Sequence, residues 1–284
     1  MNKLNYLVVP DIHGQISQYN QVEIFIKKIL KEDSSIHIVF LGDYVDRGES
    51  GKFEYYDKNE DDYVEKDFLD IGSRLVVEKL LALETYFIEN NITYTFLMGN
   101  HEESFICNVK NIESFSSRKN SDSSKDYMSM YQTLIGFTQD FNLINKTVAF
   151  FEKMPYYYCD NDNKLFFVHA GVNPDNIDLN NSQVDVLKSL KSDYLNIREK
   201  FFTSSMKFSH QVIFGHTPID SINDVFQEKS YIHDKYKIIL KDDRIGLDSG
   251  NYRNGYINVL RINKEKYTLL KIDKQGVRAT YDLE

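Results

Sequence analysis

The chain has 284 residues, 42% of them hydrophobic and 14% aromatic, with a formal net charge of -9 and a pI near 5.3. That apolar content supplies a sizeable core and excludes global disorder, while an acidic chain gains no electrostatic help on a nucleic-acid backbone. Any anionic substrate must be drawn by a local positive centre.

The first element is LNYLVV (residues 4–9), a short apolar run with β-branched residues that predicts a buried strand. The turn-rich loop PDIHG follows, then a helix over 18–30 with Val22, Phe25, Ile26 and Ile29 at helical spacing. IHIVFL (36–41) predicts a second strand, running directly into GDYVDRG. Strand, helix and strand in that order make a βαβ unit with a parallel pair. Residues 49–70 are acidic and Tyr-rich without periodicity and are expected to be a surface insertion. A second helix is predicted over 74–89, and a third strand, ITYTFLM (92–98), ends in GNHE. The Ser-rich stretch 114–126 reads as a mobile loop. The second half repeats the grammar: KLFFV (164–168) ends in HAG, QVIF (211–214) ends in GHTP, and 245–273 reads as hairpin strands. The expected organisation is one α/β domain over 1–284, with insertions at 49–74 and 108–136.

No apolar run approaches the roughly 20 residues of a membrane helix. The N-terminal apolar run is too short for a signal-peptide core. Cys107 and Cys159 form no CxxC pair and are expected to be buried, reduced thiols. A cytoplasmic location is expected.

Five predicted strands each end in a loop bearing a potential ligand, and in open α/β sheets ligands bind beyond the carboxyl ends of the strands. Asp11 and His13, Asp43, Asn100, His169 and His216 can therefore meet although they are far apart in sequence. Oxygen and imidazole donors without thiolates suit Mn²⁺, Fe or Zn²⁺ and argue against a purely structural zinc site. Two divalent ions about 3.5–4 Å apart clamp phosphoryl oxygens and share a hydroxide. Six ligands over two ions require a bridge, and the carboxylate of Asp43 is the natural one. Only Asp11 and Asp43 of the six are anionic, so the loaded site stays positive and attracts phosphate inside an acidic protein.

PDIHG (10–14), GDYVDRG (42–48), GNHE (99–102), HAG (169–171) and GHTP (215–218) resemble, in order, the signature set of the phosphoprotein phosphatase family of calcineurin-like metallophosphoesterases. The resemblance implies a sandwich of central β-sheets flanked by helices, with the active site at the loops after the strand carboxyl ends. It implies that Asp11, His13 and Asp43 hold one metal, and that Asp43, Asn100, His169 and His216 hold the other, with Mn²⁺ the expected ion. It further implies that His101 protonates the leaving oxygen, that Asp46 orients His101, and that Arg47 grips phosphate. YLNIREKFF (194–202) resembles a segment of bacterial members whose arginine binds phosphate, which points to Arg198, although Asn196 stands where that segment carries tryptophan. GLDSG (246–250) resembles a late loop in which Asp248 supports the site. Pro10 departs from the glycine usual before the first aspartate, which removes one backbone donor and leaves the ligands intact.

The implied activity is hydrolysis of phosphate monoesters by direct attack of a metal-bound hydroxide, as in a serine/threonine protein phosphatase. The alternatives are a symmetrical bis(5'-nucleosyl)-tetraphosphatase or another pyrophosphate or RNA-end hydrolase, and, from a different class, a non-catalytic phosphate-binding protein. The expected partner is a phosphorylated protein or small phosphate ester, with no membrane and no nucleic acid beyond a dinucleotide or RNA end. Glu102 reads as a local hydrogen-bond partner. His37, His210 and His233 match no motif, Tyr156, Tyr157 and Tyr158 read as packing residues, and the acidic stretch 57–67 reads as a solvated loop.

Overall fold

The computed structural model describes residues 5–57, 61–111, 125–138, 140–178, 183–221, 232–233, 237–241 and 243–283. In chain order, β1 (Tyr6–Val9), α1 (Ile16–Glu32) and β2 (His37–Phe40) form the expected βαβ unit, with β1 and β2 parallel in the register Tyr6 to His37 and Val9 to Phe40. There follow β3 (Gly51–Asp57), β4 (Asp62–Phe68), α2 (Gly72–Glu89), β5 (Tyr94–Phe96), α3 (Asn100–Lys110), α4 (Lys125–Phe137) and α5 (Phe141–Phe151). The second half comprises β6 (Tyr157–Asp160), β7 (Leu165–Val168), β8 (Ile177–Asp178), β9 (Gln183–Val184), α6 (Lys191–Asn196), α7 (Glu199–Thr203) and β10 (Gln211–Phe214). It ends with β11 (Ile232–His233), β12 (Ile238–Lys241), β13 (Arg244–Gly246), α8 (Asn251–Asn254), β14 (Tyr256–Asn263), β15 (Lys266–Asp273) and β16 (Gly276–Leu283).

The strands build two six-stranded sheets, ordered β16-β15-β14-β1-β2-β5 and β11-β12-β13-β10-β7-β6. Because side chains alternate across a strand, each buried strand feeds two cores. Tyr6 and Val8 of β1 meet Leu165, Phe167, Ile213 and Ile245 of the other sheet in a core between the sheets. Leu7 and Val9 of the same strand turn outward onto Val22 and Ile26 of α1 and Val76 and Leu80 of α2. Phe166, Val168, Val212 and Phe214 pack outward against Tyr194 of α6 and Phe201 and Phe202 of α7. The architecture is the expected α/β sandwich, two central sheets with helices on the outer faces.

Several expectations need correction. Residues 51–68 are not irregular: β3 and β4 pair antiparallel from Gly51 with Phe68 to Asp57 with Asp62. Of the acidic stretch 57–67, Asp57 and residues 62–67 belong to this hairpin, while 58–60 lie outside the described residues. β4 is exposed apart from the half-buried Val64 and the buried Phe68, and charged residues are interleaved with its apolar ones, with Lys52 reaching diagonally to Glu65 at 2.8 Å. Cys107 is exposed on the outer side of α3 and Cys159 is half-buried, so neither is a core thiol. The Ser-rich stretch lies outside the described residues except for its last two positions, which open α4. Tyr158 and Tyr156 do pack, against the inter-sheet core and the outer cores. Among the described residues no helix is long and apolar enough to cross a membrane.

Candidate metal centre

β1, β2 and β5 run parallel, and so do β7, β10 and β13. Their carboxyl ends deliver six loops to one edge of the sandwich. The loops are tied by backbone: Asp43 O accepts the N–H groups of Ile12 and His13 at 2.9 Å, and Gly215 N–H donates to His169 O at 2.8 Å. The turns are sharp. His13, Asp43, Asp46, Arg47 and His216 all sit at left-handed φ between 46° and 74°. For residues with a Cβ this costs of order 1–3 kcal/mol each and persists only where surrounding contacts over-determine it.

Glu102 is the chief such contact. Fully buried, its carboxylate accepts the N–H groups of Asp43 and Tyr44 at 2.7 Å, Gly99 at 3.0 Å and Val45 at 3.3 Å. It locks the loop after β2 to the N-terminus of α3, as its reading as a local hydrogen-bond partner required. Gly42 makes room for this arrangement: its φ is +102°, and a Cβ there would lie 2.7 Å from Gly99 N.

Two buried clusters share Asp43. On one side, Asp43 Oδ2 stands 3.6 Å from His13 Nε2 and 3.7 Å from His101 Nε2. On the other, Asp43 Oδ1 lies 3.2 Å from His169 Nε2, which is 3.0 Å from Asn100 Oδ1 and 3.1 Å from His216 Nδ1. In each cluster the His and Asp atoms fall within 4.8 Å of one another. Asp11 is adjacent but turned, both of its oxygens accepting the His216 N–H at 2.8 and 3.1 Å. Nδ1 of His169 faces Leu41 O at 2.9 Å, and Nδ1 of His13 faces Val45 O at 3.2 Å. A donor ring N–H on the carbonyl leaves Nε2 of each ring free for a cation.

The charges also ask for cations. Burial, then the nearby Asp248 and Asp43, push Asp11 well above the usual carboxylate range. Burial lifts Asp248 to about 6. Burial works against Asp43 too, but His169, His101 and His13 hold it well below the ordinary range. Burial alone would lower His169, yet Asp43, Asp11 and Glu102 outweigh it and push the imidazole up to about 9. His13 is lowered to about 3, chiefly by burial. Buried carboxylates this close stabilise one another only through a shared positive charge, which protons supply poorly and divalent ions supply well. The donor set of imidazole, carboxylate and amide oxygen fits such ions.

Beside the clusters, His101 Nδ1 is 2.8 Å from Asp46 Oδ2. Arg47 Nε is 4.0 Å from the same oxygen, and its guanidinium lies 5.3 Å from the ring centre of Tyr252. Arg198 is exposed at the start of α7, close enough that its charge helps depress His216, after burial and His169. His37 is tied to Thr95 Oγ1 at 2.9 Å and His210 to Asn161 Oδ1 at 3.1 Å, both structural contacts away from the centre. The side chain of His233 lies outside what is described. Asn251 and Tyr252 are among the residues that escaped the sequence reading. Asn251 Nδ2 donates to Ile12 O at 2.7 Å and braces the first loop, and the Tyr252 ring stands edge-on to His13 at 5.6 Å. Their only sequence signal is the position of NY directly after the GLDSG loop.

The family model described as calcineurin-like phosphoesterase matches residues 4–247. No curated protein matches the sequence closely enough to count as a relative. Among solved structures, a candidate diadenosine tetraphosphatase is similar with a TM-score of 0.52 at 15% identity, over 97% of this chain and 95% of that one. A cold-active protein-tyrosine phosphatase of a psychrophilic Shewanella species is similar with a TM-score of 0.53 at 14% identity, over 100% of this chain and 81% of that one. At such identities these likenesses speak for the fold.

Proposed function

The chain belongs to the calcineurin-like phosphoesterases, and from that premise we propose that it hydrolyses phosphate monoesters with two divalent cations, as a protein phosphatase of the serine/threonine type. The carrying observation is the pair of buried clusters that share Asp43, His13–Asp43–His101 and Asp43–His169–His216, with Asp46 against His101. Membership in a hydrolase family sets aside the non-catalytic reading.

Asp11, His13 and Asp43 would hold one ion, and Asp43, Asn100, His169 and His216 the other, with Mn²⁺ the expected metal. When bound, the ions supply Lewis acidity toward the phosphoryl oxygens and make water nucleophilic at neutral pH. The chain's own residues do the rest. Arg47 and Arg198 bind the phosphate oxygens through their guanidinium forks. Asp46 accepts from Nδ1 of His101, so the proton to be delivered is the second one, carried on Nε2 of the imidazolium. Burial opposes a charge on His101, but Asp43 and Asp46 outweigh it and raise its pKa, which favours the protonated imidazole that could pass a proton to the leaving oxygen. Asp248 and Glu102 hold the loops in place.

Metal-loaded protein should hydrolyse p-nitrophenyl phosphate, Asp43→Asn should lower its kcat by about 10²–10⁴-fold, and His101→Asn should lower kcat by about 10²–10⁴-fold on phenyl phosphate, whose leaving group needs a proton, and by less on p-nitrophenyl phosphate. Equal background rates in wild type and both variants would refute the proposal. The finer assignment is tested by a parallel panel of phosphoserine peptide, diadenosine tetraphosphate and 5'-phosphorylated RNA. Preference for the peptide supports a protein phosphatase, whereas preference for the dinucleotide assigns the tetraphosphatase reading.

A further inference from the structure

Asp70 lies where the chain leaves the β3–β4 hairpin and enters α2, and it is 3% exposed. Four donors converge on its carboxylate. Oδ1 accepts Ser73 N–H at 3.0 Å, Oδ2 accepts Ser73 Oγ at 2.9 Å and Thr133 Oγ1 at 2.6 Å, and the Gly48 N–H also donates. The Ser73 N–H alone would tie Asp70 to the first turn of α2. The other donors bring in the loop after β2, through Gly48, and α4, through Thr133. The fit is close: a Cβ on Gly48 would fall 2.0 Å from Asp70 Oδ1.

Ser73, fully buried, carries the connection inward. A hydroxyl has one proton, and here it points at Asp70. The lone pairs are then fixed toward the Asp46 N–H, which donates to Ser73 Oγ at 2.9 Å. Asp46 sits at φ 74°, a backbone state held in place by its partners, and its carboxylate meets His101 Nδ1 at 2.8 Å. A chain of hydrogen bonds therefore runs from Thr133 on α4, through Asp70 and Ser73, to the Asp46 N–H, and the Asp46 carboxylate extends it by its 2.8 Å ion-pair contact with His101.

We infer that Asp70, Ser73 and Thr133 form a positioning unit that aims the Asp46–His101 pair at the leaving group, so that α4 is coupled to proton delivery. This rests on the reading of His101 as the proton donor. If the Ser73 hydroxyl is lost, the Asp46 peptide loses its fixed acceptor and relaxes from its left-handed turn. The carboxylate then swings away from His101, and the imidazole is no longer held against the leaving oxygen.

The test is a leaving-group comparison on full-length, Mn²⁺-loaded protein. p-Nitrophenoxide leaves with little help from a proton, whereas phenoxide needs one. His101→Asn, the reference, should lose far more on phenyl phosphate than on p-nitrophenyl phosphate. Ser73→Ala should follow the same pattern, losing about tenfold in kcat on phenyl phosphate, with p-nitrophenyl phosphate turnover and both KM values nearly unchanged. Thr133→Val, nearly isosteric and remote from the cleft, should lose about threefold on phenyl phosphate alone, and Thr133→Ser should restore it. If Ser73→Ala and Thr133→Val lose equally on both substrates while His101→Asn discriminates, the unit is structural and the inference falls. If His101→Asn itself fails to discriminate, the proton-donor reading falls and the inference with it.

Discussion

At the scale of single residues, Asp43 and His169 decide how tightly the centre holds cations and at what pH. His169 must give up a proton to ligate through Nε2, and its neighbours raise its pKa from 6.5 to about 9. Protons therefore compete with metal well above the range of an ordinary histidine. Mn²⁺ affinity, measured by calorimetry, should climb steadily from pH 6.5 to 9. An affinity that levels off near pH 6.5 would contradict the charge pattern around His169. The residues proposed as donors each stand in a short motif after a strand, which is what draws attention to them in the sequence. Ser73, Asp70 and Asn251 were not legible there, because a hydroxyl, carboxylate or amide that braces a distant backbone group carries no local pattern.

At the scale of elements, the strained turns after β1, β2 and β10 work only because neighbouring segments fill the space around them. Gly42 is the most exacting of these positions, since an added Cβ would meet backbone of Gly99 and come within 3.0 Å of His169 Nδ1. Gly42→Ala should destabilise the protein by about 2–3 kcal/mol in urea denaturation. A loss below about 0.5 kcal/mol would show that the loops yield more easily than their contacts suggest. The strands β1, β2, β7 and β10 were readable because both of their faces are buried, which leaves continuous apolar runs. β3, β4 and β16 were not, because their faces are largely exposed and their charged side chains mask the alternation. α3 was also missed as a helix, since the ligand-bearing GNHE turn runs directly into its first turn.

At the scale of the molecule, the two sheets must stay in register with each other for the halves of the centre to meet, because Asp11 and Asp43 come from one sheet and His169 and His216 from the other. The inter-sheet core is what enforces this. Phe167, fully buried there two residues before His169, should cost about 3–5 kcal/mol when changed to Ala, with a parallel drop in metal retention. Unchanged metal content in that variant would separate the centre from the sandwich that carries it. The central claim is that Asp43 joins two cation sites into one hydrolytic centre. It is tested most directly by counting Mn²⁺ per chain against turnover of p-nitrophenyl phosphate, in wild type and Asp43→Asn. The account predicts two ions per chain in wild type, with turnover rising as the second ion binds, and loss of both the second ion and the activity in the variant. Full turnover with one ion or none, or an Asp43→Asn variant that keeps its rate, would contradict it.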